Sequence, residues 1–163
     1  MSNILRISVR FLDPVPVFHG LRDGNEPEWP PSPLRLFQSL VDAAASRWGI
    51  EHVKPALKWL QQLQPTEIVT PSHRVGTPFR IAVPNNDWDS PARMWAAGRE
   101  PVKPHRPIDL KTMKTIHPVW LICTDNGDCT LHYIYSLPEG SCPYLKSLTA
   151  AARSITHLGW GID

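Results

Sequence analysis

A chain of 163 residues with 42% apolar and 20% charged residues has the composition of an ordinary globular protein with room for one core. No apolar run approaches the ~20 residues of a membrane helix, and the opening "MSNILRISVRFLD" carries arginines inside its apolar stretch and no cleavage-site pattern, so it reads as a strand and not a signal peptide. The net charge of +2 favours no partner by itself, but 18 prolines, clustered at 14–16, 27–33 and 101–107, imply long irregular stretches.

Residues 3–12 alternate apolar and polar with β-branched enrichment and predict a strand. Residues 13–32 lack periodicity and hold turn formers at Gly20 and Asp23-Gly24-Asn25, so they predict a long surface loop. The run "EPEWPPSPLRLF" then leads into a helix over 33–48, with Ser32 as N-cap and Pro33 at the first helical position. Its predicted buried face is Leu34, Phe37, Leu40, Val41, Ala44, Ala45 and Trp48, and Gly49 ends it. Arg35 stands at the positive end of that helix, so free N–H groups and an added cation predict an anion site. A second helix is expected over 53–63 and short strands at 66–70 and 79–83, followed by a basic, proline-rich insertion over 84–117. "VWLICTDNGDCTLHYIYSL" predicts a hairpin turning at Asn126-Gly127. Ser141 is the expected cap of a last helix, with Tyr144, Leu145, Leu148, Ala151, Ala152 and Ile155 facing the core and Gly159 ending it. The order of elements suits an α+β, ferredoxin-like antiparallel sheet with helices on one face. Such a fold needs one further strand after the last helix. Residues 1–163 are therefore expected to form a single domain whose last strand is missing, the N-terminal part of a longer protein.

Charge and side-chain chemistry concentrate in one place. Residues 93–114 hold Arg93, Arg99, Lys103, Arg106, Lys111 and Lys114 against Glu100 and Asp109, while the rest of the chain is slightly acidic. A solvated loop and a localised polyanion contact both fit that excess. Trp88 and Trp95 lie among these cations, and stacking planes beside phosphate partners suit single-stranded nucleic acid. Seven histidines are scattered without ligand spacing, so no metal and no cofactor is expected. Cys123, Cys129 and Cys142 are odd in number and lack paired CxxC spacing, which favours free thiols in a reducing cytoplasm. His132 beside Tyr133 and Tyr135 offers acid–base chemistry on RNA in principle, though the same residues suit an ordinary sheet face.

Phe11-Leu12, His19-Gly20, the Glu28–Pro33 run, Arg35 and the Phe37–Ala44 helix together resemble the N-terminal part of the large subunit of type I-G (formerly I-U) CRISPR effector complexes. Thr156-His157-Leu158-Gly159 resembles that family's junction between a helix and a glycine-rich loop, although Trp160 departs from the pattern. In the family a handle-binding subunit of the RAMP superfamily, RRM-like in fold, is fused to a crRNA-processing endoribonuclease. The resemblance implies a subunit that grips the 5′ handle of a guide RNA and caps the filament of backbone subunits, with the 84–117 insertion as a thumb. Arg35, Arg22 and His19 become handle-phosphate contacts, and His157 joins them. Partners would be the guide RNA, the backbone and large subunits and, indirectly, target DNA. No catalytic residue is assigned to this segment. Two other readings remain: a metal-independent endoribonuclease with His132 or His157 as general base, and a module whose proline-rich loops bind other proteins.

Overall fold

A computed structural model describes residues 3–22, 26–84, 89–100, 111–124, 126–137 and 140–158. The predicted contacts Lys103 and Arg106, together with Trp88 and Gly159, lie outside them. The chain divides into two compact units, one made of Met1–Gly76 and His117–Asp163, the other of Thr77–Ile116.

In the larger unit, β1 (Ile4–Arg10), β8 (Thr130–Ser136) and β3 (Glu67–Val69) form an antiparallel sheet with β8 in the middle. Strict alternation sets its two faces. Leu5 and Ile7 of β1 and Leu131, Tyr133 and Tyr135 of β8 are buried, while the residues between them point the other way. The buried face meets α1 (Pro33–Trp48), α2 (Ile50–Gln61) and α4 (Leu145–Ala152), whose Leu36, Leu40, Val53, Leu57, Leu60 and Leu148 complete the core. The strand order, with a helical layer on one face, is that of a ferredoxin-like α+β fold. Among the described residues β1 pairs only with β8, so its outer edge is where a fourth ferredoxin strand would lie.

A second small sheet continues the first. β2 (Val17–Phe18), β7 (Val119–Ile122) and β4 (Ser72–Val75) are antiparallel with β7 central. β3 leads to β4 across Thr70 and Pro71, β7 leads to β8, and β1 leads to β2, so each strand of one sheet has its chain neighbour in the other. This corrects the predicted hairpin. A tight turn does form, with the Thr124 N–H donating to Asp128 O at 3.0 Å and Gly127 at φ 72°. Its flanking strands nevertheless pair elsewhere, β7 with β2 and β4, and β8 with β1 and β3. An Asn-Gly turn signal is local, whereas strand pairing follows the burial of whole faces.

The helices bring further corrections. α1 buries Leu36, Leu40, Ala43 and Ala44, while Leu34 is 64% and Trp48 39% exposed. Leu34 and Leu36 lie about 200° apart on a helix with 3.6 residues per turn, so only one can face the core. α2 starts at Ile50, earlier than predicted, because Gly49 at φ 80° both ends α1 and begins α2. α4 starts at Leu145 with no side-chain cap, so Ser141 does not cap it.

The smaller unit pairs β5 (Phe79–Pro84) with β6 (Lys111–Ile116) as an antiparallel ribbon, and α3 (Asp89–Ala96) lies between them in the chain. Regular structure thus occupies part of the 84–117 stretch that the prolines mark as irregular. No helix among the described residues is long and apolar enough to cross a membrane.

Candidate nucleic-acid interface

The helix opening that the sequence marks as an anion site already holds an anion from its own chain. Glu28 is buried at 4% exposure. Its Oε1 accepts the Ser32 N–H at 2.7 Å and its Oε2 accepts Arg35 Nε at 3.0 Å, with a second guanidinium N–H on the same oxygen. Ser32 Oγ in turn accepts the Arg35 N–H at 3.3 Å, which caps the helix. Burial alone would raise the Glu28 pKa, but the hydrogen bonds from Arg35 and Ser32 and the Arg35 charge outweigh it and leave it lowered. The guanidinium carbon also stands 5.6 Å from the centroid of the Phe18 ring.

The proline run delivers Glu28 to this place. Trp29 packs against Phe11, Phe18 and His73, with ring centroids 5.7–6.2 Å apart. The carbonyl of buried Pro31 accepts the Tyr133 hydroxyl at 2.7 Å. The Glu28 N–H donates to Gly20 O at 2.8 Å, and a Cβ on Gly20 would collide with the Phe18 ring and come within 2.9 Å of Glu28 Oε2. His19-Gly20, Glu28–Pro33 and Arg35 therefore form one lock that fastens the loop to the helix. The anion expected at the helix opening beside Arg35 is met within the chain by a carboxylate seven residues upstream.

Two other expected contacts come together across 138 residues of chain. His19 and His157 line one cleft of about 450 Å³, with Arg10, Phe11, Asp13 and Thr156 among its walls. Leu12 and Val15, 86% and 63% exposed, give the same cleft an apolar rim. Thr156 and His157 also border a second cleft of about 390 Å³ that includes Asp42, Ser46 and Arg47. His157 Nδ1 lies 3.0 Å from Thr156 Oγ1. Arg22 is exposed on the loop next to the Leu21–Pro27 bridge, and its N–H donates to Glu26 O at 2.9 Å.

The face of the main sheet turned away from the helices carries Arg6, Ser8 and Arg10 on β1, opposite Ile134, His132 and Thr130 on β8. Val69 and Glu67 continue that face on β3. Same-face neighbours on a strand lie about 6.7 Å apart. Ser8 Oγ lies 2.8 Å from His132 Nδ1 and positions the imidazole. Arg6 and Arg10 are not among the expected contacts, yet the period of two in "ILRISVR" puts both cations on the face opposite Leu5 and Ile7. Alternation also separates His132 from Tyr133 and Tyr135, which are buried on the other face. Burial raises both tyrosine pKa values, that of Tyr135 to about 12. These three side chains do not form one acid–base set.

In the smaller unit, Arg93, Trp95 and Arg99 are all exposed. Gly98 at φ 68° closes α3: its N–H donates to Trp95 O, and the Arg99 N–H donates to Met94 O. Lys114 pairs with Ile81 and Lys111 with Pro84 in the ribbon register. At odd separation on one strand, the two lysines belong to opposite faces. Among the described residues, no three of His, Cys, Asp and Glu gather as metal ligands would.

A family model described as "CRISPR-associated protein, GSU0054 family" matches residues 6–163. No curated protein and no solved structure matches the chain.

Proposed function

The chain belongs to the GSU0054 family of CRISPR-associated proteins, and from that premise we propose that it is the crRNA-binding subunit of a type I effector complex. It grips the 5′ handle of the guide RNA, caps the filament of backbone subunits and meets target DNA only through the assembled complex. The observation that carries this reading is the open face of a ferredoxin-like sheet bearing Arg6, Arg10 and His132. Its opposite face is sealed by helices. An exposed face with guanidinium groups at strand spacing suits a nucleotide backbone, and the neighbouring cleft, which shares Arg10 and holds His19 and His157, extends the contact. Arg93, Trp95 and Arg99 supply cation and stacking contacts of the kind used on single strands. In this reading the segment acts by binding, and RNA incubated with it in chelator should stay intact.

The test is binding of handle-containing RNA and of a scrambled control at several salt concentrations, with the wild-type protein and an R6A/R10A double variant. The affinity for handle RNA should fall steeply with salt, and the slope should drop by about one for each arginine–phosphate pair that the substitutions remove. Affinity that ignores salt, or a double variant indistinguishable from wild type, would refute the reading.

A further inference from the structure

We propose that Cys123 and Cys129 are a reversible redox site, two thiols that a low-molecular-weight disulfide such as oxidised glutathione converts to an intramolecular disulfide. The two cysteines bracket the turn that does not become a hairpin. Thr124 and Asp128 are bound to each other by the Thr124 N–H···O contact at 3.0 Å, and Asp128 N–H donates to Thr124 Oγ1 at 3.2 Å. One step outward, Cys123 and Cys129 flank this tied pair on its two sides. The Cys129 carbonyl accepts the Phe11 N–H at 3.0 Å. Cys123 also packs against the apolar cluster to which Cys129 belongs. The two thiols are near enough for Cys123 to raise the pKa of Cys129.

Exposure divides the roles. Cys129 is buried at 1%, whereas Cys123 is partly exposed. Burial, then the neighbouring Cys123, then the charge of Asp128 push the Cys129 thiol up to about 12. Cys123 therefore meets the oxidant. Its thiolate attacks one sulfur of the small disulfide, forms a mixed disulfide and expels one small thiolate, which takes up a proton. Cys129 then gives up its proton and attacks the Cys123 sulfur, expelling the second small thiol. Two protein thiols and one small disulfide become one protein disulfide and two small thiols. The new bond would lie in the cluster of Phe18, Val119 and Leu121 against which Trp29 packs, beside the lock at the helix opening.

The experiment treats the reduced full chain with oxidised glutathione, alkylates the remaining thiols and maps them by peptide mass spectrometry. Cys123 and Cys129 should lose alkylation together, as one cross-linked peptide lacking two hydrogens, while Cys142 stays alkylated. C129S should halt at a glutathione adduct on Cys123. C123S, which leaves the buried cysteine in place, should yield no cross-link. C142S should behave as wild type. An adduct on Cys123 that never closes in the wild-type chain, a bridge that uses Cys142, or bridges between chains would each overturn the proposal. So would thiols that do not react under conditions that oxidise an unfolded C-x5-C peptide.

Discussion

Two regions place an arginine beside prolines and a tryptophan, and they treat the charge in opposite ways. At the opening of α1, Arg35 is ion-paired to Glu28 and its side chain is 17% exposed. In the smaller unit, Arg93 and Arg99 flank Trp95 on and just past α3 and remain exposed. The difference lies in the intervening chain. Trp29 and three prolines between Glu28 and Arg35 hold the backbone in one path, so a carboxylate seven residues away returns to the guanidinium. α3 instead closes on Gly98 straight after its cations. A cation near an aromatic residue is a ligand contact or a structural tie according to what the backbone brings back to it.

The largest effect that can break this contrast is Glu28→Ala. It strands a largely buried guanidinium and frees the Ser32 N–H, so the urea unfolding midpoint should fall by the equivalent of about 3–5 kcal/mol. A loss near zero would mean that Arg35 is held by something other than its carboxylate. The same pair makes a statement about pH. The Glu28 pKa is lowered in the folded chain, so its stabilising contribution is present above the unfolded value and is lost as pH falls through the folded one. Stability measured from neutral pH downward should contain an acid-labile component that Glu28→Gln removes.

A smaller effect belongs to Gly20. Gly20→Ala drives a methyl group into the Phe18 ring and toward the Glu28 carboxylate, and it should cost about 1–3 kcal/mol of overpacking strain in the same unfolding measurement. An unchanged midpoint would show that the loop shifts freely, and the lock would then be looser than its contacts imply.

Much of this fold is legible in the sequence because its strongest signals are periodic. The 3–12 strand, the three helices of the larger unit and the ferredoxin-like layering follow from alternation and helical spacing. What escapes such reading lacks a period or depends on distant partners. β4, "SHRV", is exposed along its whole length and offers no apolar alternation. α1 offers two overlapping apolar stripes, and the one through Leu36, Leu40, Ala43 and Ala44 faces the core while Leu34 and Trp48 do not. The cleft that joins His19 to His157 is a product of tertiary folding. Arg6 and Arg10 carry a readable signal, since a period of two places them together on the face opposite Leu5 and Ile7.

The smallest effect on stability completes the comparison. An R93A/R99A double variant removes two exposed cations that lie outside any core, so its unfolding midpoint should stay within about 0.5 kcal/mol of wild type. Its affinity for handle RNA should weaken, and the salt slope should fall by about one for each phosphate these arginines neutralise. The two readouts separate the possible roles. Loss of stability on the scale expected for Glu28→Ala would make Arg93 and Arg99 structural ties like Arg35. Unchanged stability with an unchanged salt slope would make them solvated charges, and the RNA contact would then rest on the open sheet face and its cleft.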